Sequence, residues 1–489
     1  YWAYFLLPAA ITGAGPARTS SPPIETYLAI NSLCTGILFV ALLFVSAWSA
    51  VPRAGAAAMA TGLVLLAASA EGLYAAIDLI RRGRPLDHLR YLNIDAITSW
   101  KFEALTIDGL PRSIWYNPHH SLACAAGLIA LIIAGRVSRP IPAATSAAIG
   151  LSLGLALILS PFVGGAMTLI YGVVTFWRIA SAPRTLIRTV VDHLPAAVLI
   201  IAALAWCIAN DTFEGANDTL EFGLSSRAGT SPAIFLGLAL GPVLLLVAAG
   251  WTVALAAGFP LSIRPAATGV AVAVGLLFFV TLSLEPIWIG WRAGQILLVT
   301  CPALIALALA RLHDTAGRPL TAVVVVICGA VGLPTTVIDY YNAQDVTNEA
   351  MSNGFHWTVV LSRGEQEALR WIELNTPADS LVQMSLEPRG RETWSLIPSF
   401  ARRRMAAGLP ISLLRTDDYE VRARRADSLF SAGNAVEASV VARSLRVDYV
   451  YVGPAEREAF GDAVEAFDER PDLFAKVFEN NDASVYELR

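Results

Sequence analysis

The sequence predicts a polytopic α-helical membrane domain followed by a soluble α/β domain. Three observations carry that prediction. Of the 489 residues, 55% are apolar and only 15% are charged, against roughly 25% charged in soluble domains. The apolar residues gather into ten runs, most of them near the ~20 residues with which a helix crosses the hydrocarbon. Charge is segregated as well: residues 1–339 hold 15 acids and 18 bases, and residues 340–489 hold 24 acids and 17 bases. The expected division is a transmembrane domain over 1–338 and a soluble domain over 339–489.

The ten runs lie at 26–49, 55–80, 119–135, 142–159, 163–180, 193–209, 232–258, 267–285, 293–311 and 319–338. Pro, Gly and Arg punctuate them, as in VPRAG, RVSRP and SIRP. Several runs are rich in Ala and Gly, which lets helices approach closely in lipid. No fixed-period repeat is visible. The five cysteines, Cys34, Cys124, Cys207, Cys301 and Cys328, all fall inside apolar runs. Thiols buried there stay protonated, so disulfides and thiolate metal sites are not expected. The chain opens YWAYFLLPAA without an initiator Met, and residues upstream of Tyr1 are expected.

Alternating the loops sorts the bases into two sets. One holds Arg53, Arg136, Arg139, Arg178, Arg184, Arg188, Arg264, Arg311 and Arg318; the other holds Arg18, Arg81, Arg82, Arg84, Arg90, Lys101, Arg112, Arg227 and Arg292. Six members of the second set sit in one long loop, 81–118. Setting that loop aside, the positive-inside rule places the first set in the cytoplasm. The loops 81–118 and 209–231 and the C-terminal domain then face outward.

The C-terminal domain reads as mixed α/β. RGEQEALRWIELN, NAVEASVVARSLR and AEREAFGDAVEAF have helical spacing. VDYVYVG is a β-type run, and LFAKVFEN with SVYEL reads as a hairpin turning at Asn480–Asn481–Asp482. No Gly-rich phosphate loop follows any of these strands. A lid, a binding surface or a docking module is expected here rather than a catalytic unit.

Loop 81–118 is the richest part of the chain. It supplies Asp87, His88, Asp95, Glu103, Asp108, His119 and His120 at or near its end, six bases, and Trp100, Trp115 and Tyr116. Arginines hold phosphate oxygens, a carboxylate or imidazole moves a proton, and rings line a lipid surface or stack on a sugar. The same composition also fits a loop lying on the membrane with snorkelling arginines. Just before it, in EGLYAAID, Glu71, Tyr74 and Asp78 share one helix face. Ionisable groups at membrane depth face a cavity or a partner, and Glu71 lies about two turns deeper than Asp78. His119 and His120 open the third run behind Pro118, where backbone N–H groups attract anions. Further metal ligands at diagnostic spacing are missing, so no metal is assigned to them. Asp211, Glu214, Asp218 and Glu221 form an oxygen-rich loop without the EF-hand order. Glu285, Trp288, Trp291 and Arg292 mark another span boundary, where Arg292 clamps a lipid phosphate or snorkels.

Taken in order, YWAYFLLPAA, AEGLYAAID, NIDAITSWKFEALTIDGLPRSIWYNPHH, VDYVYVGPAERE and VFENNDASVYEL resemble the GT-C superfamily of multi-pass membrane glycosyltransferases. The likeness is to the bacterial and archaeal relatives of the protein mannosyltransferase and arabinosyltransferase type. Relatives tend to carry Tyr-x-Pro-Gln-His; here His119 stands in place of Gln, and His120 keeps the pattern. The resemblance implies a transferase of the cell envelope, in the bacterial cytoplasmic membrane. It would move a sugar from a polyprenyl-phosphate donor to an acceptor on the outer face. The family's acid in the first outward loop precedes Tyr1 and is not carried over. The expected catalytic residues are Glu71, Asp78 and Asp95. The expected substrate-binding residues are Arg81, Arg82, Arg84, Tyr116, His119, His120 and Arg292. Mg²⁺ or another divalent cation is the one cofactor such chemistry uses; membrane lipid and membrane-complex subunits are expected partners, and nucleic acid is not. Two other readings remain open: a structural subunit that keeps the fold without the chemistry, and a transporter or flippase of lipid-linked substrates.

Overall fold

The computed structural model describes residues 2–13, 24–137, 140–210, 212, 220–229, 231–282, 288–344, 361–389, 395–408 and 417–489. The chain divides into two compact units, with the division after Gln344. The first unit is helical: α1 (Leu6–Gly13), α2 (Ile24–Ala50), α3 (Ala54–Leu66), α4 (Glu71–Arg81), α5 (Ile97–Phe102), α6 (Leu110–Tyr116), α7 (Pro118–Arg136), α8 (Ala143–Leu159), α9 (Pro161–Ser181), α10 (Leu186–Ala209), α11 (Ser226–Gly229), α12 (Pro232–Ala239), α13 (Val243–Ala256), α14 (Arg264–Phe279) and α15 (Trp288–Gln344). A left-handed residue, Gly317, breaks α15 into two halves. Two short strands, β1 (Leu220–Phe222) and β2 (Val280–Leu282), pair antiparallel.

Among the described residues, five helices are long and apolar enough to cross a membrane, and two bent pairs raise the number to seven. α8 and α14 are apolar but shorter. Only 17% of the apolar window of α2 is buried, and Leu33, Ile37, Ile187 and Val326 point outward, fully or largely exposed. Apolar surface on that scale requires a non-aqueous surround. α7 sits inside, packed by α2, α8 and α9. Arg178 on α9 is buried and donates to the carbonyls of Ala134 and Val137, at the C-terminal end of α7, where a cation suits the helix dipole.

Two of the expected runs are bent rather than straight. The run 55–80 turns by 46° between α3 and α4. Three distant donors and acceptors satisfy the backbone freed by the break: Ala70 N–H donates to Leu238 O (2.8 Å), Thr335 Oγ1 to Ser69 O (3.1 Å) and Thr336 Oγ1 to Leu66 O (2.9 Å). Such breaks persist in lipid only where neighbours supply those bonds. Gly332 of α15 passes so close that a Cβ there would lie 2.2 Å from Ala67 O. The run 232–258 turns by 101° between α12 and α13, at Gly241 with φ +53°, a conformation glycine tolerates and a helix does not. α14 stops at Phe279 and hands over to β2, so the run 267–285 is shorter as a helix than its apolar length.

The second unit contains α16 (Arg363–Asn375), α17 (Asp417–Phe430), α18 (Ala435–Ser444), α19 (Pro454–Phe460) and α20 (Asp462–Glu465), with β3 (Val382–Gln383), β4 (Tyr449–Val452), β5 (Phe474–Glu479) and β6 (Ser484–Leu488). The sheet order is β3-β4-β6-β5, with β3 and β4 parallel and the other pairs antiparallel. Ser362 and Glu365 cap α16 reciprocally, which fixes its start. In the β5–β6 turn the Asn480 side chain accepts from Asp482 N (3.0 Å) and Ala483 N (2.8 Å). Arg389 lies largely buried between Glu456 (3.0 Å) and Glu365 (3.4 Å); losing it would leave two buried carboxylates uncompensated.

Tyr486 is buried on β6 and donates to Asp468 Oδ1 (3.0 Å). Burial first, then the Asp468 charge, push its hydroxyl up from 10.0 to about 12. A group raised in the folded state stabilises fully below its unfolded pKa and stops doing so as pH passes the folded one. The second unit therefore loses stability between pH 10 and 12. Denaturant midpoints taken across that window should fall, and Tyr486→Phe should flatten the fall. An equal slope in the variant removes Tyr486 as the cause.

Candidate functional site

The helix α6 spans only two turns, yet it ties both halves of α15 to the start of α7. Arg112 and Ser113 are neighbours on it and reach in different directions. Arg112 Nη2 donates to Asp339 Oδ1 (2.7 Å) near the end of α15, and Arg112 Nη1 lies 3.9 Å from Asp108 Oδ1. All three side chains are largely buried. Ser113 Oγ accepts from Gln295 Nε2 (2.8 Å), near the start of α15, and shares a hydrogen bond with Ser121 Oγ (3.0 Å) on α7. Gln295 is buried, and among the described residues its Oε1 has no hydrogen-bond partner.

The first turn of α7 holds His119 and His120, their rings 4.0 Å apart. Pro118 opens the helix, so its fixed φ costs nothing there. His120 is buried, and its Nδ1 is 2.8 Å from Ser160 Oγ. Ser160 in turn caps α9 by accepting from Val163 N (3.4 Å). The ring of Tyr4 meets His119 edge-on at 6.5 Å. Arg292, on the first turn of α15, acts electrostatically on both imidazoles. Two imidazoles and the amides of a helix start therefore share one place, under the charge of Arg292, a set of donors suited to an oxyanion.

The remaining expected residues lie on α4 and the segment after it. Glu71 is fully buried. Its Oε1 accepts from Thr98 N (2.8 Å) in the first turn of α5, and its Oε2 from Ser69 Oγ (3.3 Å). Asp78 pairs with Arg82 Nε (3.0 Å) and with Lys101 Nζ, and Lys101 also lies over the Tyr74 ring. Glu71, Tyr74 and Asp78 thus share the face turned to α5. Arg81, Arg82 and Arg84 are exposed. Tyr116 is exposed too, its ring 5.9 Å from the Arg112 guanidinium. Asp95 stands on a 3₁₀ turn, Ile94–Ala96, and its side chain lies outside the described residues, as do Asp211, Glu214, Asp218 and Glu285. Glu221 is exposed on β1.

The bonds of Glu71 lead to a stability prediction. Glu71→Ala leaves the buried Thr98 N–H without an acceptor, at about 1–3 kcal/mol. Glu71→Gln keeps an acceptor oxygen and costs less. Thermal unfolding in lipid of both variants checks this; equal losses would show that the Thr98 bond carries no weight.

A cleft of about 330 Å³ opens at the break between α3 and α4. Ser69, Gly109, Pro111, Thr335, Asp339 and Tyr340 line it, and Trp115 meets the Tyr340 ring edge-on at 4.1 Å. The site combines His119, His120 and Arg292 from the expected set. Asp339, Gln295, Ser113 and Ser160 join it without having been singled out from the sequence. Among the described residues, no three His, Cys, Asp or Glu side chains gather as metal ligands.

No protein-family model matches the chain, and no curated protein does. Among solved structures the chain is similar to the archaeal oligosaccharyltransferase AglB from Archaeoglobus fulgidus in complex with an inhibitory peptide and a dolichol-phosphate, at 14% identity and TM-score 0.45, over 92% of this chain and 60% of that one. It is similar to the oligosaccharyltransferase of the same organism in its apo form, at 14% identity and TM-score 0.47, over 93% of this chain and 62% of that one. It is also similar to ArnT from Cupriavidus metallidurans bound to undecaprenyl phosphate, at 13% identity and TM-score 0.45, over 99% of this chain and 86% of that one. The chain thus spans 60 to 62% of the length of these two oligosaccharyltransferase chains.

Proposed function

We propose that this chain is a membrane glycosyltransferase that moves a sugar from a polyprenyl-phosphate donor to an acceptor hydroxyl at the outer membrane surface. The observation that carries the reading is the His119–His120 pair at the start of α7, tied through Ser113 and Arg112 of α6 to an acid beside an open cleft. The sugar-transfer class comes from the GT-C resemblance of the sequence, and the outward side from the loop arginines. Dolichol-phosphate and undecaprenyl phosphate, present in the AglB and ArnT structures, have the chemistry of the leaving group in the proposed reaction.

In this reading Arg292 and the first-turn amides of α7 hold the donor phosphate. The acceptor hydroxyl enters the cleft beside Asp339. Asp339 takes its proton as the hydroxyl oxygen bonds to the anomeric carbon, and the bond from that carbon to the phosphate oxygen breaks. The leaving polyprenyl phosphate carries the electron pair, and Arg292 stabilises its charge. Arg112 holds Asp339 in place. Glu71 and Asp78 position α4 against α5, and Asp95 stays a candidate for contact with substrate. No step is routed through a divalent cation.

The test is a transfer assay. The protein, reconstituted in lipid, receives radiolabelled polyprenyl-phosphate sugars with and without Mg²⁺. Loss of label from one donor supports the reading. No turnover with any donor, together with tight co-purification of other membrane proteins, replaces it with the structural subunit.

A further inference from the structure

The opposite end of α7 carries a second cleft, of about 340 Å³. Its lining on α7 begins at Leu128, about two turns of helix beyond His120. It opens between the last turns of α2 and α7, the start of α14 and the first half of α15. Ser46, Ser49, Gly135, Ser262, Pro265 and Thr300 are among the residues that line it. Four hydroxyls in one wall of a lipid-embedded bundle are an unusual expense. Three of them spend their hydrogen on backbone: Ser49 Oγ donates to Ser46 O (2.9 Å), Ser262 Oγ to Ala50 O (3.3 Å) and Thr300 Oγ1 to Ile296 O (2.9 Å). Their lone pairs therefore face the cleft as acceptors and call for a ligand that brings hydroxyl donors.

The rim is basic. Arg136 follows Gly135 directly, is exposed, and reaches Ser49 O with Nη1 (3.3 Å). Arg53 and Arg264 stand at the neighbouring helix ends, and Arg53 pairs with Asp314 (2.6 Å). These arginines belong to the set that the charge distribution assigns to the cytoplasm, where membranes present anionic headgroups. Trp48, exposed on the last turns of α2, lies beside the cleft-lining Ser46 and Ser49, as a ring does at the lipid interface.

We propose that this cleft binds an anionic phospholipid with a hydroxylated headgroup, of the phosphatidylglycerol type. Its phosphate sits against Arg136, and its headgroup hydroxyls donate to Ser49, Ser262 and Thr300. The proposal does not depend on the transferase reading, since none of these residues belongs to the site at the start of α7.

The whole protein, in neutral detergent–phosphatidylcholine micelles, is titrated with phosphatidylglycerol, with more phosphatidylcholine, and with inorganic phosphate alone. Retained lipid is read by native mass spectrometry and stability by Tm. Phosphatidylglycerol is expected to be retained and to raise Tm. Arg136→Gln and Ser262→Leu should each weaken its binding tenfold or more, and Arg136→Lys should restore part of it. Arg318→Gln, an exposed base of the same charge set outside the cleft, should leave binding unchanged. Equal retention of phosphatidylcholine overturns the proposal. So does an equal Tm shift with inorganic phosphate, or a loss on Arg318→Gln as large as on Arg136→Gln, which would mean surface charge only. If Ser262→Leu does not fold, the exposed Arg136 variants decide alone.

Discussion

An Asp339→Asn protein is expected to bind donor as the parent does and to transfer sugar roughly 10²- to 10⁴-fold more slowly, the usual contribution of a positioned proton acceptor. The substitution keeps the shape of the side chain and an oxygen for Arg112 Nη2, which donates to Asp339 Oδ1 at 2.7 Å. What it removes is the capacity to take a proton. Steady-state kinetics with a competent donor check this, alongside Tm in lipid to show that the variant folds. The pH profile separates two roles. A base gives the parent an acidic limb in kcat/KM that vanishes in the variant; a merely structural carboxylate leaves the limb in place. Asp108→Asn is the internal comparison, because Asp108 is 3.9 Å from the same guanidinium and does not line the cleft. If Asp108→Asn costs more than Asp339→Asn, the assignment of the base passes to Asp108.

How far the sequence reveals this arrangement depends on how local each determinant is. α2, α7 and α9 follow from apolar length alone, and α16 from its capping box and spacing. The face shared by Glu71, Tyr74 and Asp78 follows from helical periodicity, and its contacts with α5 match that spacing. The break after α3 does not follow from sequence. Its own residues, AASA, are all small, and the groups that stabilise it, Leu238, Gly332, Thr335 and Thr336, come from α12 and α15. Asp339 and Gln295 were illegible for the same reason. Each reads as a lone polar residue in or at the end of an apolar run, and each finds its partner on α6, about two hundred positions earlier in the chain. His120 was legible as an interfacial residue; its bond to Ser160 was not, because Ser160 reads as the gap between two spans. The single polar residues inside an apolar run were the available signal, and only the tertiary fold says which of them meet.

Arg292→Ala is expected to lower transfer by about 10²- to 10³-fold, the loss that follows removal of one preorganised donor from a developing oxyanion. The argument rests on what surrounds it. Two imidazoles and a helix start supply hydrogen bonds but no fixed positive charge, and Arg292 supplies the charge. In the proposed reaction the leaving group is a phosphate whose negative charge grows as the sugar departs, so the guanidinium would act more strongly in the transition state than in the bound donor. The loss should therefore appear in kcat as well as in KM. Arg292→Lys retains the charge without the planar fork and should recover only part of the rate. His120→Ala is the counterpart: it removes the ring that meets Ser160 Oγ at 2.8 Å and should weaken donor-lipid binding with a smaller effect on kcat. Binding of the polyprenyl phosphate alone, measured by lipid titration, separates the two. Should Arg292→Ala bind that lipid and turn over as the parent does, Arg292 only snorkels at the membrane surface, and the anion site at the start of α7 is lost with it.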